Sequence, residues 1–445
     1  MRRMIVRLML AFALSPFAQV ALAQDLLQVY RDAARYDAQY AAARHALQAG
    51  LEKLPQGRAL ILPTVCLAGN TASSRIDFEP KNAALAAPFV RDVRLYGYTL
   101  SFSQPLYRPQ NNLQADQAEY QVKQAEAVFA QAGQDLILRT SQAFFDILAA
   151  QDTLALVGAQ KSAISEQLAQ AKRNFEVGTA TITDTHEAQA RFDLVVAQEM
   201  AAQNDLETKR RALQQLTGKE YASLKSLRPD VRLSPPNPAG MQTWADLAEK
   251  QSYPVQIQEA GTEIAQLEAR RSRAGHLPTL DLVASHGYVS QTGSQLTPLG
   301  SNVNNTTLGF QLAVPLYQGG AITSREREAA ANHEKAKEDL ENARRTSVLA
   351  SRQSYLAVIN GIAQVGALEQ ALVSSQSALD SNKLGYEVGV RINIDVLNAQ
   401  QQLFSTRRDL AVARYNTITS NLRLKAAAGS LREDDLQEIN RALAQ

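Results

Sequence analysis

The chain has 445 residues, 45% of them apolar and 20% charged, a balance that rules out intrinsic disorder, while only 6% is aromatic, so any core must be thin. The formal charge of +2 includes Arg2, Arg3 and Arg7 at a basic start; without those three, 43 basic residues face 44 acidic ones. So even a balance excludes the electrostatic footprint of a nucleic-acid binder.

The three arginines precede an apolar run from Leu8 to Leu22 that ends in the small-residue pattern Ala21-Leu22-Ala23. This predicts a signal peptide over residues 1–23, cleaved before Gln24. A transmembrane anchor is the alternative, but the run falls short of the roughly 20 residues that span hydrocarbon. No later segment is expected to supply a transmembrane helix. The only cysteine, Cys66, excludes an intramolecular disulfide and lies far from the cleavage site, so no lipid-accepting cysteine starts the mature chain.

Residues 24–228 form a first structural unit. Strands are expected from Thr64 to Thr71 and over 95–103, where Tyr96, Tyr98, Leu100 and Phe102 alternate with small or polar residues. Turn formers are dense around 73–92. From 110 to 228 the chain has no proline, which would cost a helix interior about 3 kcal/mol. There Val122, Ala125, Phe129, Ala132 and Leu136, then Ala143, Ile147, Ala150 and Leu154, recur at spacings of three and four, interrupted by Arg139. The pattern predicts a coiled-coil helix from about 110 to 170, on the order of 90 Å long.

The proline-rich stretch 229–240 is a linker, and the chain beyond it repeats the chain before it. Phe102 to Tyr107 (FSQPLY) matches Leu312 to Tyr317 (LAVPLY), and Phe175 to Gly178 (FEVG) matches Tyr386 to Gly389 (YEVG), at offsets of 210 and 211. Earlier, Leu62-Pro63 pairs with Leu277-Pro278 and Tyr36 with Tyr253, so the drift is small and a tandem duplication is indicated. Residues 241–431 are the second unit. Its strands are expected over Thr279 to Tyr288 and along the alternation Leu308, Phe310, Leu312 and Val314, with turn formers at 291–305 between them. A second proline-free stretch begins at 316, and residues 432–445 form a C-terminal tail.

One face of each alternating strand is greasy and the other small and polar. Alone, that pattern suits a soluble sheet buried on one side as well as a lipid-facing one. Four strands cannot close a membrane barrel, because single-chain barrels start at about eight and an open edge cannot face lipid. If the greasy face meets lipid, several chains must share one barrel. Three chains would supply twelve strands, with long helices continuing the ring in an aqueous compartment.

Chemistry of the usual kinds is missing. The five histidines, His45, His186, His276, His286 and His333, are scattered, and none forms a His-Glu-x-x-His zinc site. His186 and His286 read as surface or strand residues. Gly218-Lys219 lacks the upstream glycine of a phosphate loop, and no G-x-S-x-G elbow occurs. No cofactor, metal or catalytic group is expected, and energy for any transport must come from a partner.

Five segments in order carry a family resemblance: LLQVYRDA (Leu26 to Ala33), GHLPTLDL (Gly275 to Leu282), VPLYQGG (Val314 to Gly320), YEVGVRINIDVLNA (Tyr386 to Ala399) and ARYNTITSNLRLKAAAGSL (Ala413 to Leu431). The chain resembles the TolC family of Gram-negative outer-membrane exit ducts over nearly its whole mature length. The resemblance implies an α+β membrane protein: a homotrimeric twelve-stranded β-barrel, four strands per chain, continued by a long α-helical coiled-coil barrel in the periplasm. It implies type I protein secretion or multidrug efflux, with a periplasmic adaptor and an inner-membrane ABC or proton-driven transporter as partners. The other reading is a periplasmic coiled-coil adaptor or scaffold without a pore.

In a shared barrel the greasy alternation turns Tyr96, Tyr98, Leu100, Phe102, Leu308, Phe310, Leu312 and Val314 toward lipid. The resemblance assigns further residues. A gate network joins Thr183 and Asp184 to Tyr386 and Arg391. The turns Val177-Gly178-Thr179 and Val388-Gly389-Val390 meet the adaptor. The pore constriction falls on Asp395 and Asn398, where the family has two aspartates. One carboxylate ring instead of two implies weaker cation preference and weaker block by multivalent cations.

Overall fold

The computed structural model describes residues 24–81, 87–228, 231, 233–293 and 299–444. The signal peptide expected over residues 1–23 lies outside these, as do residues 229, 230 and 232 of the linker. The first copy runs α1 (Leu26–Tyr36), α2 (Ala38–Leu51), α3 (Lys53–Ala59), β1 (Thr64–Phe78), β2 (Phe89–Tyr107), α4 (Pro109–Glu176) and α5 (Ile182–Thr217). The second runs α6 (Met241–Gln251), α7 (Tyr253–Arg273), β3 (Thr279–Gln291), β4 (Ser301–Ala313), α8 (Ala321–Glu387) and α9 (Asn393–Ala427). The order repeats with one difference: α2 and α3 stand where the second copy has α7 alone. Pro55 explains the break, since it offers no N–H to the Leu51 carbonyl and its ring crowds that carbonyl.

All four strands form one antiparallel meander, in the order β1-β2-β3-β4. The β2–β3 pairing, with Tyr98 opposite Tyr288, joins the two copies. Every strand but β4 extends well past its expected end, and β4 begins seven residues early, at Ser301 rather than near Leu308. Of the expected turn regions at 73–92 and 291–305, residues 73–78, 89–92, 291 and 301–305 are therefore strand, while 82–86 and 294–298 lie outside the described residues. The reason is physical: apolar alternation stops where the greasy band stops, but ladder pairing continues through polar residues such as Ser73, Ser74 and Arg75. Val314 lies one residue beyond β4.

The long helices are longer than expected: α4 has 68 residues and α8 has 67, roughly 100 Å each. Pro109 opens α4 at its first turn, where its missing N–H costs nothing. The expectation of no later membrane-length apolar run is corrected in α8, which holds an 18-residue window of mean hydropathy 1.4. The helix is about three times longer than a bilayer core is thick. Its buried residues Ser351, Val358, Val365 and Leu379 recur at multiples of seven, the spacing of a helix packed along a partner.

The principal core lies where the rods are girdled midway. Phe144, Phe145 and Leu148 of α4 pack with Leu26 and Val29 of α1, Leu206 and Leu213 of α5, and Tyr415, Ile418 and Leu422 of α9. Residues 432–445, expected as a tail, carry α10 (Glu433–Ala442), whose Leu436 is buried in this cluster with Leu443. Single bridges pair Gln24 with Leu224 and Leu227 with Leu443, so the segment before the linker and the C-terminal region belt the same core. Of the expected seam, Leu136, Ile147 and Ala150 are buried, but Phe144, Phe145 and Leu148 were missed. Here α4 meets α1, α5 and α9 at once, and its buried arc is wider than a two-position stripe.

Arg139 interrupts the seam because it does other work. Its Nη1 and Nη2 donate to the two carboxylate oxygens of Asp37, at 3.2 and 2.9 Å, and its Nε to Asp135 at 2.6 Å. Asp37 also caps α2 by accepting from the Tyr40 N–H. The Arg139 bonds hold the Asp37 carboxyl below its usual range, outweighing its burial. A depressed folded-state value adds stability above the unfolded value near 3.9 and loses it as pH falls through the folded one. Asp37→Asn, which keeps the cap acceptor, is expected to cost about 1–3 kcal/mol at pH 7 and measurably less at pH 3, below the unfolded value. Denaturant midpoints of parent and variant at both pH values check this.

Candidate functional site: the lipid face and the helix-hairpin tips

Strand register sorts the sheet into two faces. Opposite partners share a face, so Val65 and Leu67 of β1 join Phe102 and Leu100 of β2, then Ala284 and His286 of β3, then Leu308 and Thr306 of β4. Leu308, Phe310 and Leu312 are 75%, 71% and 65% exposed, and no described residue covers them. The other face carries Ala68, Asn70, Gly97, Thr99, Ser101, Ser285, Gly287, Thr307 and Gly309. Thus Tyr96, Tyr98, Leu100, Phe102, Leu308, Phe310 and Leu312 fall on one side.

Tyrosines bracket this band. Tyr96 and Tyr98 lie 6.5 and 5.9 Å from Tyr288, ring to ring, at one end, while Tyr107 and Tyr317 stand exposed at the other. From Tyr96 to Tyr107, strand rise of about 3.3 Å per residue tilted by about 40° gives roughly 28 Å, close to the height of an outer-membrane apolar band. His286 sits within the band, its Nδ1 2.8 Å from Thr306 Oγ1, so its polar edge is partnered on the sheet. Val65, Leu67 and Tyr288 were not picked out from the sequence, although Val65 and Leu67 do alternate with Cys66 and Ala68.

Below the band, the sheet is tied to the rods. Arg108, at the β2–α4 junction, donates through Nε to Asp281 Oδ1 at 2.7 Å and through Nη2 to the other oxygen. Asp281 is buried, and the pair fixes the end of β2 against β3. Farther along α4, toward the tips, Tyr415 Oη of α9 donates to Asp152 Oδ2 at 2.7 Å. Burial pushes both groups up: the Asp152 carboxyl and the Tyr415 phenol.

At the far end, two helix hairpins turn alike. Val177 N–H donates to Arg173 O, Gly178 to Phe175 O, and Thr179 and Ala180 to Asn174 O. In the second copy Val388 donates to Leu384 O, Gly389 to Tyr386 O, and Val390 and Arg391 to Gly385 O. Both glycines have φ of +77°, the left-handed conformation that ends a helix without a Cβ penalty. Val177, Val388 and Val390 are 73%, 65% and 76% exposed, an apolar surface at the tips.

The helices leaving the tips begin differently. Thr181 and Asp184 form a capping box on α5, each side chain bonded to the other's backbone N–H. An offset of 211 carries Thr181 to Ile392 and Asp184 to Asp395. Ile392 has no hydroxyl, so α9 lacks a side-chain cap, and the Asp395 carboxylate stands 3.7 Å from Arg391 Nη1 instead. Within one chain the expected gate residues do not meet. Asp184 bonds Thr181, Tyr386 Oη accepts from Asn174 Nδ2 at 3.1 Å, and Thr183 is exposed.

Amides make the links between the hairpins. Gln167 Nε2 donates to the buried Asn393 Oδ1, and Asn393 Nδ2 donates to Asp184 O at 3.4 Å. Arg191 of α5 donates to Asn398 and Gln401 of α9. Sequence reasoning missed Gln167, Asn174, Arg191 and Asn393, because side chains that meet from different helices leave no local pattern. Among the described residues no cluster of three or more His, Cys, Asp or Glu is placed to hold a metal ion.

Comparison with known proteins adds the family. The chain matches the family described as outer membrane efflux protein over residues 29–219 and again over 244–430. It is 33% identical over 440 residues to the outer membrane protein TolC of Vibrio cholerae, covering 98% of each chain. It is 33% identical over 441 residues to the alkaline protease secretion protein AprF of Pseudomonas aeruginosa, covering 99% of this chain and 91% of that one. Among solved structures, the outer membrane protein VceC of Vibrio cholerae superposes with a TM-score of 0.77 at 18% identity, covering 91% of this chain and 96% of that one.

A Cβ added at Gly178 or Gly389 would meet nothing within 4 Å, so alanine there carries conformational strain alone. The left-handed backbone costs such a residue about 1–2 kcal/mol, and amide exchange at residues 179–180 or 390–391 is expected to speed up roughly five- to thirtyfold. Hydrogen-exchange mass spectrometry of the two variants reads this directly, and unchanged exchange would refute the strain.

Proposed function

Because the chain belongs to the outer membrane efflux protein family, we propose that three copies of it close one twelve-stranded barrel and serve as the exit duct for type I protein secretion or multidrug efflux. The protein is an outer-membrane channel of the secretion and efflux type. Its relatives are channel and secretion proteins rather than enzymes. One observation carries the assembly: the sheet shows a bare apolar face of membrane height, yet among the described residues β1 and β4 have no outer neighbours. Pairing the β4 of one chain with the β1 of the next removes every open edge. A pore-less periplasmic scaffold leaves the exposed Leu308, Phe310 and Leu312 face without a purpose.

The strand ends at Phe78, Phe89, Gln291 and Ser301 lie at the edge of the sheet away from the rods, so that end of the barrel faces outward and the helical hairpins reach into the periplasm. There the tips at Val177-Gly178-Thr179 and Val388-Gly389-Val390 suit a periplasmic adaptor, through which an inner-membrane ABC or proton-driven transporter supplies energy. Asp395, repeated three times around the axis, lines the constriction together with Asn398. Thr183 and Asp184 of the first copy and Tyr386 and Arg391 of the second form the gate of this reading. Partly exposed links of this kind are worth about 1–3 kcal/mol each, which a docking partner can supply. Relatives named for alkaline protease secretion support protein cargo.

The native Cys66 offers a test. It is exposed on the small-residue face of β1, opposite Ser101, the face that carries Asn305, Thr307 and Gly309 on β4. With cysteines introduced singly at those three positions, a short thiol crosslinker in native envelopes is expected to give bands of two and three chains. Single subunits at every position would overturn the shared barrel.

A further inference from the structure

Asn398 is not merely a position where a carboxylate is missing; it is already engaged. Arg191, nine residues into α5, sends its fork across to α9: Nη1 donates to Gln401 Oε1 at 2.6 Å and Nη2 to Asn398 Oδ1 at 2.8 Å. Asn398 and Gln401 are three residues apart and share one face of their helix. Both acceptors are neutral, and among the described residues no carboxylate lies within ion-pair distance of Arg191. The cleft it lines between α4, α5 and α9 is walled by Gln160, Gln198, Ser405 and Arg408, with no acid among its residues. The half-buried guanidinium therefore carries a positive charge that no carboxylate offsets. Beside it, Asp395 stands near Arg391, so each position of the proposed constriction has a guanidinium at hand.

We propose that Arg191 is a specificity-determining residue of the duct: its charge offsets the Asp395 ring, and it would neutralise any carboxylate placed at position 398. This rests on the reading of Asp395 and Asn398 as the constriction. Its chemistry comes from the fork. An aspartate at 398 presents an oxygen where the asparagine now does, and an arginine prefers that oxygen charged. The new charge would be paired inside its own chain and would add little attraction for cations on the axis. In a trimer, three Arg191 and three Arg391 guanidiniums face three Asp395 carboxylates at this level, and removing Arg191 takes away the half of that positive charge that has no carboxylate of its own.

The test uses the full-length protein in planar bilayers, with the potassium-to-chloride permeability ratio and block by lanthanum ions as readouts. Asn398→Asp alone is expected to change the half-blocking concentration less than about twofold, and Arg191→Gln with Asn398→Asp to lower it by at least about tenfold. Arg191→Gln alone should raise the permeability ratio about threefold or more, while Arg191→Lys, which keeps the charge without the fork, should stay near the parent. Heat resistance of the assembled form identifies any variant that fails to fold, and Arg191→Lys with Asn398→Asp then replaces it, expected to block like the parent. The proposal is overturned if Asn398→Asp alone blocks as strongly as the double variant, or if Arg191→Gln leaves selectivity unchanged. An Asp395→Asn channel identical to the parent overturns the constriction reading itself, and this proposal with it.

Discussion

A strand edge in hydrocarbon leaves backbone N–H and C=O groups without partners, at several kcal/mol each. This chain has two such edges, β1 and β4, on a sheet whose apolar face is already bare. That constraint organises the molecule. It explains why the two copies are fused through the β2–β3 pairing, because fusion halves the edges that assembly must cover. It also suits the face opposite the apolar band, which is mostly small residues such as Gly97, Thr99, Ser101, Ser285, Gly287 and Thr307 and would leave an open bore in the proposed barrel.

The rods meet a different constraint. A helix of roughly 100 Å cannot be held by its own ladder alone, and thin coiled-coil seams of alanine and valine bury little. The structure concentrates stability at one level, where Phe144, Phe145, Leu148 and Tyr415 gather α1, α4, α5, α9 and α10. Polar clips reinforce that belt. Asp32 of α1 accepts from Lys219 Nζ at 2.7 Å and Tyr221 Oη at 3.0 Å, just beyond α5, and Lys425 Nζ donates to Asp435 of α10 at 2.8 Å. Away from the belt, toward the tips, only small apolar clusters remain, around Ile164, Val195 and Leu397 and around Leu379, Val396 and Leu403, supplemented by amides and single ion pairs, which makes that end the more easily rearranged.

Much of this was legible in the sequence because the cues are local. Missing prolines marked the rods, Gly178 and Gly389 marked their turns, and the alternation Leu308, Phe310, Leu312 marked the lipid face. Strand length was not legible, since the polar ends around Arg75 and Asn302 carry no hydrophobic period although they pair fully. The apolar window of α8 was overlooked for the opposite reason: it fills 18 residues of a 67-residue helix that is polar on average. The belt residues Phe144 and Phe145 are adjacent, and adjacency breaks a stripe. Arg191 and Asn398 are 207 residues apart in the chain, and only folding makes them neighbours.

One contrast between the copies reaches further. Position for position, Asp184 and Asp395 descend from one ancestral residue, yet the first locks its own helix through Thr181 while the second, facing Ile392, does not. A missing cap leaves a helix start about 1 kcal/mol less secure. The duplication has thus yielded a stiff prong and a pliant one from a single blueprint. Whatever force reaches the tips, the start of α9 meets it without a side-chain cap, and the carboxylate that stands beside Arg391 instead of capping belongs to the very residue proposed to face the passage.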